Sequence, residues 1–583
     1  MGTPLTGPDA VRLDDLAADP PRHWLFRDQL ATGSAVRLAD VVGQLAEADR
    51  QARELGRWVI VAVAYESAPA FDAALRAKPS PPAGMPFLWW AAFSDRRASD
   101  LIASTGPLPL ELHRRPNVLP YAAAVEDVRR RIEAGEVYQV NVTDRVGGAL
   151  RGTPQQLYEA MLSAQSAAFG ALLSLGASTV VSASPELFFR WDGDTVTCRP
   201  MKGTAARRPR PADDRAAARE LRASAKEQAE NLMIVDLLRN DLARLGARSV
   251  RVDELFRLER YETVWQLTST LRAEVPDPTT LVDVFRALFP CGSVTGAPKI
   301  AATAVIDELE REPRGVYCGA IGCLAPPGRG PRAVFSVPIR TAVCDHDGRL
   351  TYGVGAGITW SSDPAQEDAE VAAKAEVLST AWPAFELLET LRRDATGAVH
   401  LGAHLDRLAE SADWFAIPFD RLGAEQAVAA LGRTEVARRL RLLLARDGTL
   451  TVEDRPPEPG PEVVRLATDT AVTRSDDLFC CHKTTARSHY AAALARHPDV
   501  DDVVLVNEHG RAIETTVGNL LFRLDGCWWV PPLSDGGLPG IGRRYALESG
   551  AVRERSIQAA ELAGCEALAV VNDLRGRRPA ELR

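Results

Sequence analysis

Lysine is the residue this chain nearly does without. Of 583 residues 69 are Lys or Arg, and only six of these are lysine: Lys78, Lys202, Lys226, Lys299, Lys374 and Lys483. Arginine serves wherever a cation needs only to be solvated or paired. It keeps its proton inside a protein, so it is neither a nucleophile nor a Schiff-base former. The few lysines are therefore candidates for chemistry that requires an amine. Cysteine is scarce too. The nine cysteines fall in no metal-ligand spacing, with Cys480 and Cys481 adjacent and Cys318 and Cys323 five apart. With no signal-peptide pattern over residues 1–12, reduced thiols in a cytoplasmic protein are expected. No apolar run approaches the length of a membrane span, so no membrane association is expected. A myristoylation-like match at Met1-Gly2 and Thr6 is too short to count. A net charge of −9 offers no footprint for nucleic acid.

What remains is ordinary globular composition, 46% hydrophobic and 25% charged, at a length suited to two to four domains. One stretch stands out, residues 184–204. Ser184-Pro185-Glu186 leads into the apolar run Leu187-Phe188-Phe189-Arg190-Trp191. A turn at Asp192-Gly193-Asp194 follows, then a second run to Pro200-Met201-Lys202-Gly203-Thr204. Two runs around an Asp-Gly turn predict a β-hairpin. Its open end brings Glu186 and Lys202 to one space, a carboxyl beside an amine.

Around it the pattern predicts strands over 58–65, 137–146, 170–175, 179–184, 314–322 and 334–341, and a helix over 121–134 ending at Gly135. A long helix is expected over 213–245, carrying Glu227 and Glu230 three apart on one face. Residues 352–358 read as a strand entering a glycine turn at Gly355-Ala356-Gly357. The helix after it carries Glu367, Glu370 and Lys374. On their own such pairs read as solvated faces. Together, two carboxylate pairs and a glycine turn are compatible with Mg²⁺ and a carboxylate ligand.

Residues 120–380 resemble the chorismate-utilising enzymes: anthranilate synthase, aminodeoxychorismate synthase component I, and the isochorismate and salicylate synthases. The matching motifs are Ser184-Pro185-Glu186, residues 226–241, Gly296-Ala297-Pro298-Lys299, residues 314–322, Ile339-Arg340-Thr341, residues 355–358 and residues 367–374. The resemblance implies an α+β domain over 1–380, with two large antiparallel sheets packed together and flanked by helices. It implies that Glu227, Glu230, Glu367 and Glu370 hold Mg²⁺ for the ring carboxylate of chorismate. Thr295, Tyr317, Arg340, Lys374 and the backbone of Gly355, Ala356 and Gly357 would form the rest of the substrate site. Pro200-Met201-Lys202-Gly203-Thr204 is similar to the Pro-x-Lys-Gly-Thr of aminodeoxychorismate synthases, where anthranilate synthases carry Pro-x-Ala-Gly-Thr. In that subfamily the lysine attacks C2 of chorismate as the C4 hydroxyl leaves; ammonia then adds at C4 and expels it. Glu186 matches the general acid/base. Gln266 stands where the family often has histidine and cannot act as an acid. The chain has no Leu-Leu-Glu-Ser run like that of the tryptophan-regulatory site, so no tryptophan feedback is expected. No Gly-x-Cys-x-Gly-x-Gln elbow is present, which implies that a separate glutamine amidotransferase supplies ammonia.

After Trp382-Pro383 the pattern restarts, and residues 384–570 resemble the class IV pyridoxal-phosphate enzymes, a fold of two α/β subdomains expected over 384–583. Lys483 matches the Schiff-base lysine and Glu514 the carboxylate on the pyridine nitrogen. Arg407 and the backbone at Ile541 and Gly542 match the phosphate site, with Gly542 where the family often has threonine. Transaminases and aminodeoxychorismate lyase share this scaffold, and a homodimer through this half is compatible with it. The fusion favours a lyase and hence p-aminobenzoate synthesis for folate. The rivals are an anthranilate-type synthase fused to a transaminase, and a synthase whose second half is only a scaffold.

Overall fold

The computed structural model describes residues 11–15, 22–99, 110–115, 117–165, 168–376, 378 and 383–583. Gly2, Thr6 and Trp382 lie outside them. The chain forms two compact units: Met1–Ala206 with Ala218–Trp382, and Arg207–Ala217 with Pro383–Arg583.

The first unit is built on two sheets, each of ten strands among the described residues. Neighbours in both run antiparallel. The strand Trp58–Val63 shows why they stack. Its sequence, Trp-Val-Ile-Val-Ala-Val, is apolar on both faces and buried at every position. Val59, Val61 and Val63 enter the main core. Trp58, Ile60 and Ala62 pack with Phe26, Leu173 and Val180 of the other sheet. Alternation along a strand thus supplies one face to each core.

The hairpin forms between Leu187–Asp192 and Thr195–Arg199, with Gly193 in the left-handed turn at φ 58°. Its open end pairs Leu187 with Arg199, leaving Glu186 and Pro200 just beyond. Pro200 has no N–H for the ladder, so the second run is two strands rather than one. It resumes as Met201–Ala206 along the same neighbour, Val264–Glu274.

Other expectations are corrected. The long helix is two, Pro211–Ala223 and Ala225–Ala243. Between them Ser224 is extended and its side chain accepts from the Glu227 N–H, a cap that starts a new helix. The glycines at 355–357 are not a turn. They lie inside the strand Arg349–Ile358, paired with Gln139–Leu150 as far as Ile358. Residues 314–319 and 337–340 are turns and connections, with Cys318 at φ 62° and Arg340 at φ 51°; the strands there are Ala320–Leu324, Ala333–Ser336 and Thr341–Asp345.

The second unit carries a four-stranded antiparallel sheet, in the order Gly397–Ala398, Leu387–Asp394, Arg438–Leu444, Leu450–Arg455. The helix Leu401–Phe415 covers it, burying Leu405, Leu408 and Ala412. An eight-stranded mixed sheet follows. Within it Val464–Val472 runs parallel to both Asp502–Val506 and Gly576–Leu582. Both units mix helix and sheet, and no helix among the described residues is long and apolar enough to cross a membrane.

Behind the hairpin, Phe285 packs on Phe71, Phe188, Phe189, Phe289 and Phe335 at centroid distances of 5.1–6.0 Å. Phe285→Ala is expected to cost the first unit about 3–5 kcal/mol. Denaturant unfolding followed by circular dichroism reads this as an earlier first transition, with the second unit's transition unmoved.

Candidate active sites

In the first unit the expected amine and carboxyl lie within each other's electrostatic reach, with no hydrogen bond or ion pair between them among the described residues. Glu186 is buried, with Ser293 and the Met201 N–H acting on its carboxylate. Its Oε1 has no hydrogen-bond partner. Burial drives its pKa up to about 7, against the pull of these donors and of Lys202. Burial also lowers the Lys202 pKa, partly offset by Glu230, Glu186 and Glu370 and reinforced by Lys374. A lowered amine pKa is what a nucleophile needs. Of the other lysines, Lys299 is locked to Asp241 at 2.6 Å, Lys78 lies 3.3 Å from Asp307, and Lys374 bridges Glu370 and the Gly355 carbonyl.

The neighbourhood explains the small residues. Gly203 sits at φ 91°, and a Cβ there would lie 3.3 Å from Glu227. A Cβ on Gly357 would overlap the Lys202 Nζ and lie 2.8 Å from Gln139 Nε2. Gly353 leaves room for the Tyr317 ring, and a Cβ on Gly355 would stand 2.6 Å from the Val142 carbonyl. The helix Ala225–Ala243 holds the lysine strand through Asn231, whose Nδ2 donates to the Lys202 carbonyl at 3.1 Å.

Other expected site residues are placed less simply. The Thr295 hydroxyl is fully buried and donates to the Cys291 carbonyl at 2.9 Å, leaving only lone pairs for a ligand. The Ala356 N–H donates to the Tyr121 hydroxyl at 3.1 Å. Arg340, in the left-handed region, keeps a buried Nη1 without a partner, within the field of Tyr352, Tyr261 and Glu262. Gln266 accepts from Thr204. Gln139 was not singled out from sequence. Its amide is fully buried, both ends are unpartnered, and it lies beside Lys202 and Gly357. A lone glutamine opening a strand carries no pattern that would have marked it.

The four glutamates share one electrostatic neighbourhood. Glu227 and Glu367 have raised pKa values, from burial first and then from Glu230 and Glu370 respectively. Glu370 is held low by Lys374 in spite of burial. Among the described residues no three such side chains converge on a ligating point. The donor chemistry suits Mg²⁺, which keeps waters and substrate oxygens in its octahedron, but no cage is formed.

In the second unit Lys483 is half-buried and its pKa falls to about 8, from burial and then from Arg407 and Arg487. Its carbonyl accepts from the Leu388 N–H. Glu514 accepts from Tyr490 at 2.8 Å, the Leu538 N–H at 3.0 Å and Asn519 at 3.3 Å, and burial lifts it to about 7. Arg407 grips Glu389 through Nε and Nη2 and donates Nη1 to the Pro539 carbonyl, which leaves two of its five N–H donors. Gly540 caps the helix Ile541–Glu548, whose first turn contains Gly542. A Cβ at 542 would lie 2.9 Å from the Asn572 carbonyl carbon, so close packing explains glycine there. An amine, a buried carboxyl, spare guanidinium donors and a helix N-terminus fit pyridoxal phosphate. Two further groups were not anticipated. His404 bridges Glu389 and Asp573 with its pKa raised, and Arg487 lies over Tyr490.

Residues 98–380 match the family of chorismate binding enzymes and residues 386–582 the amino-transferase class IV family. The chain thus joins a chorismate binding enzyme domain to a class IV amino-transferase domain. An aminodeoxychorismate synthase from Streptomyces griseus is 42% identical over 291 residues, 49% of this chain and 39% of that protein. An anthranilate synthase component 1 from Streptomyces coelicolor is 41% identical over 263 residues, 45% of this chain and 51% of that protein. The chain therefore spans about half or less of the length of these relatives. The structure of anthranilate synthase component I from Streptococcus pneumoniae TIGR4 superposes with a TM-score of 0.53 at 23% identity, covering 62% of this chain and 93% of that one, a likeness of fold.

Two outcomes test this geometry. Gly357→Ala should displace Lys202 and cut the rate of any reaction that uses its amine about 100-fold or more, with thermal unfolding shifted by only a few degrees. Steady-state kinetics and a melting curve separate the two. Glu186 binds its proton more tightly folded than unfolded, so its contribution to stability is present below pH 4.5 and is lost as pH rises through about 7. Glu186→Gln should flatten that part of the stability–pH curve, measured by denaturant titration between pH 5 and 8.

Proposed function

We propose that the chain converts chorismate to aminodeoxychorismate in its first unit and aminodeoxychorismate to p-aminobenzoate and pyruvate in its second. The observation that carries the reading is Lys202. It is a lysine of lowered pKa in Pro-x-Lys-Gly-Thr, close against Gly357 and within the field of Glu186. The aminodeoxychorismate synthase relative supports it; the equally similar anthranilate synthase marks the rival chemistry.

Lys202 adds to C2 of chorismate through its neutral amine while the C4 hydroxyl departs. Glu186, half-protonated near neutral pH, moves the protons of these steps. Ammonia, from a separate amidotransferase, adds at C4, and the C2–N bond to Lys202 breaks. Arg340 and Tyr317 take one carboxylate of the substrate. Glu227, Glu230, Glu367 and Glu370 would hold Mg²⁺ against the other.

In the second unit Lys483 would carry pyridoxal phosphate, Glu514 would face its ring nitrogen, and Arg407 with the backbone at Ile541 and Gly542 would take its phosphate. When bound, that cofactor supplies an electron sink. Lys483 then takes the proton from the substrate's amine-bearing carbon and returns it as pyruvate leaves and the ring becomes aromatic. The product serves folate synthesis on this reading.

The test is incubation of the purified chain with chorismate, ammonium and Mg²⁺, with and without pyridoxal phosphate. Cofactor-dependent p-aminobenzoate is expected. Lys202→Ala should lower its formation about 10³-fold or more. Lys483→Ala should let aminodeoxychorismate accumulate. Anthranilate as the product, or a first reaction that survives Lys202→Ala, overturns the reading of Lys202. Aminodeoxychorismate accumulating in the unaltered chain with cofactor present overturns the lyase.

A further inference from the structure

Within the second unit a cavity of about 280 Å³ opens beside the C-terminal strand, lined by Arg392, Arg438, Arg575 and Arg578 together with Glu458, Gly460 and neighbouring apolar residues. None of these four arginines belongs to the cofactor site described above. Carboxylates account for part of the charge. Asp394 holds Arg392 at 2.6 Å, Asp454 holds Arg438 and Arg393, and the exposed Glu458 holds Arg439 at 2.7 Å.

Among the described residues the other two guanidiniums have no carboxylate within ion-pair distance. Arg575 Nη2 donates only to the Glu458 carbonyl at 3.1 Å, and Arg578 Nη1 to the Pro461 carbonyl at 3.4 Å. Arg578 Nε is buried with no partner at all. The acids nearest Arg578 act on it without forming an ion pair: Asp501 is bidentate to Arg465, and Asp502 accepts from Thr516 through Oδ1 while its buried Oδ2 has no partner. Burial and then Arg575 lower the pKa of Arg578, partly offset by Asp502 and Asp501, so the two cations repel across a partly desolvated space. Four guanidiniums and one carboxylate, that of Glu458, thus line the cavity.

The backbone leaves that space open. Gly460 faces both cations, and a Cβ on it would lie 3.3 Å from Arg578 Nη1 and 3.5 Å from Arg575 Cζ. Any side chain there would fill the cradle. Planar guanidinium forks match the paired oxygens of carboxylate and phosphate groups, and two forks without an ion pair within one small cavity match a ligand with two negative charges.

We propose that this cavity is a second ligand site, one that binds a small dianion bearing carboxylate or phosphate groups through Arg575 and Arg578. The site stands independently of the two reactions proposed above. Its test is calorimetric titration of the full chain, saturated with pyridoxal phosphate so that the cofactor's own phosphate site is filled, in a low-salt chloride buffer. Succinate and inorganic phosphate are the probes, with acetate as the monoanion control.

Saturable one-to-one binding is expected for succinate or phosphate, and the tighter of the two identifies a carboxylate or a phosphate ligand. Arg575→Ala and Arg578→Ala should each weaken it about tenfold or more. Gly460→Val should weaken it while both cations remain. Arg578→Lys keeps the charge but loses the fork; weaker binding in that variant, with an unchanged circular dichroism spectrum, supports the site even if an alanine variant unfolds. No saturable binding of either dianion, acetate binding as tightly as succinate, or binding that survives Arg575→Ala and Arg578→Ala overturns it.

Discussion

An amine held partly out of water without a hydrogen-bonded partner is costly, and each unit of this chain keeps one. Burial penalises the charged form, so the proton is loosened at Lys202 and at Lys483. The surroundings are arranged to keep it so. Glu186 acts on Lys202, but burial raises its own pKa to about 7, so near neutral pH it is only partly charged and is not a fixed counter-ion. The lysine that does find a buried carboxylate, Lys299 on Asp241, serves the packing of its helix and is not available for chemistry.

That cost is borne by ordinary packing. Two stacked sheets with buried strands and the phenylalanine cluster around Phe285 supply the apolar burial that stabilises the first unit. Asn231 ties the glutamate-bearing helix to the backbone of Lys202, and the Ser269 hydroxyl in turn donates to Asn231 Oδ1 at 2.6 Å. The nucleophile candidate and the carboxylates are therefore positioned by the same few hydrogen bonds. In the second unit one chain of polar contacts, Asp573 to His404 to Glu389 to Arg407, links the strand Leu387–Asp394 and the helix Leu401–Phe415 to the loop at Pro539.

Gly357 and Gly542 show one constraint used twice. At Gly357 the space is needed for an amine, and at Gly542 for the Asn572 backbone. Glycine at 357 is not chosen for a turn, because the backbone there is extended strand. The two positions look alike in sequence and differ in what fills the vacancy.

Much of this was legible in the chain itself. Lysine scarcity marked six candidates, because arginine cannot replace an amine that must lose its proton, and the motifs around Lys202 and Lys483 narrowed them to two. The Asp-Gly turn announced the hairpin, and turn geometry with strand period then placed Glu186 by its open end. Local sequence misjudged what depends on neighbours. The helix expected over 213–245 breaks because Ser224 caps a new one, and the glycines at 355–357 are strand because Gln139–Leu150 pairs with them. Gln139 and Arg575 with Arg578 carry no motif. Their unsatisfied donors and acceptors become informative only when tertiary packing removes water, since a polar group's partners are decided by which distant elements close over it.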